Sequence, residues 1–467
     1  MKKLFLYSLL ILATTQGCRK IEVDGGTTVV NGGGGGATET TILEGRITSN
    51  RTLHAAYTYK LRGLVYVSNG AILTIEPGTK IVGENGRTGG LIITRGCKII
   101  ADGTAANPIV FTSEAANPQR GDWAGLVILG QAPANASFNG VQGVGAVEGG
   151  INNSDGLGLY GTPSTQQQAP FDNSGILRYV RIEYAGYAFL PDNEINGLTF
   201  GGVGSGTIVD NVQVSYANDD SFEWFGGTVN CTHLISFRTL DDDFDTDNGF
   251  SGKVQFGISL RDPAVADISK SEAFESDNDA NGSALLPQTL AVFSNMTVMG
   301  PKPTLADNGN ALFVWGAQIR RNSSISLCNS IIMGYPNGLY IDATKGVPTD
   351  NNIPGGIIVK NNIIAGCPAP VIYGVSPTTP TGASTASILA WYNTAAYGNS
   401  ILTNCSDVML TSPFSLTNPD FNPAAGSPAL SGASFADTKL STGFTTVTYK
   451  GACAAGDAWW KTWTKFN

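Results

Sequence analysis

Val212–Asp220 reads VQVSYANDD, and Leu234–Asp242, one period of 22 further on, reads LISFRTLDD. The two stretches align without a gap: a short strand-like run, a turn, then a pair of aspartates. Later, NMTVMG (Asn295–Gly300), NSIIMG (Asn329–Gly334) and NNIIAG (Asn361–Gly366) each place Asn, four mostly apolar residues and Gly, so that Asn295, Asn329 and Asn361 recur at a nearly constant interval. Earlier, AILTIEPGTKIVG (Ala71–Gly83) is echoed by LIITRGCKIIADG (Leu91–Gly103), with Gly96 standing where Gly78 stood. Repeats of variable length built from short alternating strands predict a solenoid, in which each turn stacks its strands on the turn before and inward Val, Ile and Leu form one continuous core. An asparagine at a fixed place in successive turns suits a corner in left-handed backbone conformation, and stacked amides can hydrogen-bond along the axis.

Composition agrees. The 467 residues include 59 glycines and only 14% charged residues, which describes many short strands joined by tight turns. No second flexible linker interrupts the body, so one elongated domain is expected. A net charge of −9 excludes nucleic acid as a partner, because phosphates need a basic footprint. With His54 and His233 as the only histidines, a His-based zinc site or a Ser-His-Asp triad has little material.

The N-terminus reads as an export signal: Met1-Lys2-Lys3, an apolar run from Leu4 to Ala13, then Thr15-Gln16-Gly17-Cys18. Residues 1–17 are expected to be removed and Cys18 to be lipidated, although Thr15 departs from the usual Leu three positions before the cysteine. Residues 18–43, with the glycine block Gly32–Gly36, form a tether, which makes the membrane a partner through the lipid anchor. Six further cysteines show no C-x-x-C pair; they are read as buried thiols, with Cys367 and Cys405 as the pair to bridge if any does.

Arg238–Phe250, RTLDDDFDTDNGF, crowds Asp241, Asp242, Asp243, Asp245 and Asp247 into one short run. The period of 22 stacks Asp220 over Asp242 and Asp219 over Asp241, at about the 4.8 Å spacing of neighbouring strands. Carboxylates so placed must splay into water, share a proton or hold a cation. Glu275, Asp277 and Asp279 lie about one longer turn on. All-oxygen surroundings favour calcium, with Asp219, Asp220, Asp241, Asp242, Asp243, Asp245, Asp247, Glu275, Asp277 and Asp279 as candidate ligands. An EF-hand does not fit, because position twelve from Asp243 is Val254 and not Glu.

The segments Ala71–Gly83, NPIVFTS (Asn107–Ser113), DWAGLVILG (Asp122–Gly130), FEWFGGTVN (Phe222–Asn230), LDDDFDTDNGFSGKVQFG (Leu240–Gly257) and AFESDND (Ala273–Asp279) resemble the right-handed parallel β-helix proteins of pectate-lyase-like type, and more closely the β-helix lipoproteins of Bacteroidota-type cell envelopes. The resemblance implies an all-β fold, a single-stranded right-handed parallel β-helix with terminal caps over residues 44–430, and an outer-membrane location facing the cell surface or the periplasm. FNPAAGSPAL (Phe421–Leu430) resembles a segment that closes such helices. Residues 431–467 are expected to cap the open core, with Trp459, Trp460, Trp463 and Phe466 on one helical face.

Two functions follow from the acidic face. One is calcium-dependent binding of a surface polysaccharide or an outer-membrane partner protein. The alternative is an enzyme, for which β-helix lyases suggest a calcium site with a basic Arg238, Lys253 or Arg261, and β-helix hydrolases suggest paired carboxyls such as Asp220 and Asp242 with Asp219 and Asp241. Against the enzyme, the Gly-His-Gly and Arg-Ile-Lys signatures of polygalacturonase-like hydrolases and the Arg-x-Pro-x-x-Arg of a pectate-lyase branch are missing from the sequence. His233 is expected to be structural, Phe222, Trp224 and Phe225 to pack on the core in preference to forming a sugar platform, and Arg320-Arg321 to be a solvated turn that could otherwise clamp a carboxylate.

Overall fold

The computed structural model describes residues 39–84, 88–190 and 193–467. The export signal, Cys18 and nearly all of the tether lie outside these residues.

Strand pairing follows the sequence repeats. Ile208–Ser215 lies parallel to Asn230–Phe237 with Val212 opposite Leu234, and Phe222–Phe225 lies parallel to Phe244–Asp247 with Phe222 opposite Phe244. Thr297–Met299, Ile331–Met333 and Ile363–Ala365 stack in order, as the recurrence of Asn295, Asn329 and Asn361 predicts. One network of 28 strands therefore winds into a right-handed parallel β-helix. The echo between Gly78 and Gly96 has another origin. Ile72–Ile75 pairs with Lys98–Asp102, and Lys80–Gly83 with Ile109–Ser113, so the echo repeats a strand–corner–strand shape on two sides of the coil and not a rung on a rung. Gly78 and Gly96 take φ of 86° and 78° at those corners, where a Cβ would be strained.

Alternation sends one side of each strand inward. Phe222, Phe244 and Phe274 are fully buried and stack from turn to turn at centroid distances of 5.7 and 5.4 Å. Asn211, Asn295, Asn329 and Asn361 sit at one corner with φ between 54° and 58°, and the registers place Tyr179, His233 and Phe256 at the same corner in three further turns. The expected axial amide ladder belongs one residue later. Ser330 Oγ accepts from Met296 N at 3.0 Å, Asn362 Oδ1 from Ser330 N at 2.8 Å and Asn399 Oδ1 from Asn362 N at 2.9 Å. Asn329 donates to Ser294 Oγ one turn back at 3.1 Å and otherwise faces outward, exchanging bonds with Ser434. Asn329→Ala should therefore lose both its left-handed tolerance and this contact, about 1–3 kcal/mol in denaturant unfolding.

The C-terminal part departs from expectation. The α-helix Thr385–Tyr392, started by a Ser384/Ser387 capping box, carries Ile388 and Tyr392 into the main core, so it covers the end of the coil. Residues 431–467 do not cap that end, and no helix spans the tryptophans. They run along the flank, where Trp460 and Trp463 bury against Ile235, Phe237, Ile258, Leu260, Met299, Ile331, Met333 and Ile363 on the outer side of the stacked strands. Contacts from Lys465 to Gln213, Thr445 to Gln255 and Tyr449 to Asn295 show this strap crossing several turns. All six cysteines described are buried and free, so Cys367 and Cys405 are not bridged.

Candidate acidic cation site

The acidic face is two stacked series. On the strands, Thr199, Glu223, Asp245 and Glu275 stand opposite one another in successive turns, followed by Gln318 and Tyr340. In the bend before those strands, each side chain reaches up to the next backbone: Asn196 Oδ1 accepts from Asp220 N at 3.1 Å, Asp220 Oδ1 from Asp242 N at 2.8 Å, and Asp242 Oδ1 from Glu272 N at 2.6 Å. The repeated Asp-Asp of the sequence is thus partly a structural ladder, because each carboxylate satisfies a buried N–H that the bend leaves without a strand partner.

The crowding has an electrostatic consequence. Burial, then the neighbouring carboxylates, pushes Asp219, Asp220, Glu223, Asp242, Asp245, Asp247 and Glu272 well above the usual carboxyl range. Asp241 and Glu275 are pushed up to about 7, chiefly by burial. In Glu275 the Arg320 guanidinium works in the opposite direction.

Four of the expected ligands are otherwise engaged. Asp243 is turned into the core, fully buried, where Ser236, Ser259 and Arg261 hold it. Asp247 accepts from the Asn248 side-chain amide at 3.0 Å. Asp277 is forked by Arg320 at 2.9 Å and gripped by Arg321 at 2.6 Å, so the arginine pair is no solvated turn but this chain's own counter-charge. Asp279 closes its own turn onto Asn281 N and Ser283. The others, Glu275 among them although it also pairs with Arg320, enter three groups able to hold a metal ion: Asp219–Asp220–Asp241, Asp220–Glu223–Asp245 and Asp242–Glu272–Glu275, each offering oxygens within 4.8 Å of one another. Asp241 Oδ1, Asp245 Oδ1 and Thr199 Oγ1 are buried without a hydrogen-bond partner, as oxygens awaiting a cation would be.

Glu223 and Glu272 were not among the expected ligands. Glu223 was legible at the same period of 22 that stacks it on Asp245, but its place inside FEWF reads as an aromatic strand. Glu272 lies on the longer turn that follows Asp242, so the shorter period does not reach it.

The expected bases are elsewhere. Lys253 sits under the flank strap, bonded to Thr442 and 5.4 Å from the Phe444 ring. Arg238 pairs with Asp262 at 2.7 Å and lies over Tyr216. Arg261 is enclosed with Asp243. His233 bonds Asp210 at 2.7 Å and packs between Phe256 and Trp459, a structural role. Phe222, Trp224 and Phe225 are buried and form no exposed sugar platform.

A family model described as a pectate-lyase-like β-helix domain matches residues 45–367. The chain belongs to that family. The span assigned to the pectate-lyase-like β-helix takes in the whole acidic face and stops before the end-covering helix and the flank strap. Among curated proteins nothing matches the chain.

Proposed function

We propose that the protein is a cell-envelope lipoprotein, anchored through Cys18, whose acidic face holds calcium and uses it to bind a surface glycan or a partner protein. The observation that carries the reading is the convergence of Asp219, Asp220, Glu223, Asp241 and Asp245 with oxygens that have no donor. Calcium accepts six to eight oxygens in irregular geometry, which suits carboxylates delivered from stacked turns, and sugar hydroxyls or a partner's carbonyls can complete its shell. Asp220 and Asp242 each spend an oxygen on a backbone amide, which favours binding over acid–base chemistry at these two residues.

Thermal melts in calcium, magnesium and chelator test the cation. Calcium is expected to give the highest midpoint, with about 2.7 kcal/mol added at a concentration 100 times Kd. In chelator the midpoint should fall as pH rises from about 5 to 8. Carboxyls whose folded pKa exceeds the unfolded value keep protons that the unfolded chain releases, so their contribution is present at low pH and lost as pH passes the folded values near 7 and above. Asp245→Asn should weaken the calcium response and Asp350→Asn should not. Identical melts in all three conditions, with no metal by elemental analysis, would sink the cation reading. Retention on a polysaccharide panel that calcium does not change would remove the glycan. For the anchor, Cys18→Ala should abolish lipid labelling and release the chain from membranes.

A further inference from the structure

Between the strands Gly125–Leu129 and Gly175–Glu183 the chain leaves the coil and makes two small antiparallel pairs, Ser137–Phe138 with Val141–Gln142 and Val144–Ala146 with Leu159–Gly161. The first is pinned without ions: Asn135 Nδ2 donates to Asn278 O at 2.8 Å and Pro287 O at 3.0 Å, and Gln142 Nε2 donates to Asn135 O at 2.6 Å. The second pair carries Glu148 just after its first strand. Val147, just before Glu148, packs in one buried cluster with Ile195 and Phe225, and the Glu148 carboxyl lies close enough to push up the carboxyls of both Asp219 and Glu223. An excursion from the coil thus brings a further acid, Glu148, to the edge of the Asp220–Glu223–Asp245 group.

Carboxylates crowded in this way repel unless a proton or a cation lies among them. At the same place Thr199, opposite Glu223 in the strand register and only 3% exposed, has its Oγ1 buried without a partner. Asn196, 1% exposed, directs its amide to Glu223 Oε2, and no described donor reaches Thr199 Oγ1.

We infer that one divalent cation, seated among Asp220, Glu223, Asp245 and Thr199, takes Glu148 as a ligand and staples the Val144–Gly161 hairpin onto the coil. The inference rests on the calcium reading above and adds a consequence to it: the hairpin closes over the site when the cation is bound and loosens when it leaves. Tyr160 stacked on Phe225 at 6.0 Å, and Tyr66 donating to Ile151 O at 2.7 Å, keep the hairpin near the site in either state. A glycan or partner would then meet a surface whose shape depends on the cation.

Hydrogen–deuterium exchange on the full chain, with calcium chloride or chelator, tests the staple. Calcium should slow amide exchange across residues 144–161 about tenfold and leave residues 137–142 unchanged, and in Glu148→Gln it should slow neither segment. Glu148→Gln should still bind calcium in calorimetry, more weakly than the parent. Calcium that binds in calorimetry while exchange at 144–161 stays the same overturns the staple and leaves the cation site standing. Equal slowing at 137–142 and 144–161 also overturns it, since the effect is then global stabilisation. No calcium binding by the parent chain overturns the staple together with the cation reading.

Discussion

Deleting residues 431–467 is expected to abolish soluble folding, the largest effect of any change considered. The strap shares one buried cluster with Ile235, Phe237, Ile258, Leu260, Met299, Ile331, Met333 and Ile363, an apolar strip on the outer face of stacked strands that Cys405, Val408 and Phe421 also help to cover. Burial of each such side chain is worth about 1.5–3 kcal/mol, so exposing the strip costs on the order of 10 kcal/mol, comparable to the whole stability of an ordinary domain. The strip would also be flat, apolar and long enough to pair with a second copy. The truncated chain should appear in the void volume on size exclusion or in the insoluble fraction. Trp460→Ala and Trp463→Ala in the intact chain should each cost about 3–5 kcal/mol, because both indoles are about 1% exposed and their removal leaves cavities against the strip. A soluble truncated chain with an unchanged melting midpoint would show that the strap contributes nothing to the body.

The strap also shows what the sequence could and could not reveal. The repeat intervals are local signals, and except for the Gly78/Gly96 echo each is a neighbouring rung read twice, so that they place Asp219 and Asp220 against Asp241 and Asp242 directly. The strap's contacts reach far along the chain, as Gln255 does to Thr445, and no periodicity marks such a pairing. WWKTW was therefore legible as apolar material needing cover, but the surface it covers was not. The end-covering helix was hidden for a different reason: SILAWY is apolar on all sides, so beyond the Ser384/Ser387 capping box it is the open end of the coil next to it that selects a helix there. Within the acidic stretch the period of two fails at one point. Asp242 and Asp245 face the acidic side, but Asp243 and Phe244 both turn inward, so a strict alternation cannot sort these aspartates.

That inward turn makes Arg261→Met the second large effect. Arg261 and Asp243 have side chains with no solvent exposure, and Arg261 Nη1 lies 3.3 Å from Asp243 Oδ1. The guanidinium also donates to the backbone oxygens of Thr239 and Asp241 and lies 5.0 Å from the centre of the Phe313 ring. Removing the arginine leaves a carboxylate inside the coil with only the Ser236 and Ser259 hydroxyls as partners, and breaking a buried pair in this way costs about 3–5 kcal/mol. Replacing both charges should recover much of the loss, since no buried charge is then left alone, so Arg261→Met with Asp243→Asn should be more stable than Arg261→Met by urea unfolding. The double variant separates two roles for the aspartate stretch. If Asp243 serves only the core, the calcium-dependent rise in melting midpoint should survive in the double variant at the parent's size, while Asp245→Asn reduces it. Loss of the calcium response in the double variant, with its fold intact by circular dichroism, would return Asp243 to the cation site. An Arg261→Met chain as stable as the parent would mean that the enclosed pair contributes no net stability, and that the serines alone satisfy the aspartate.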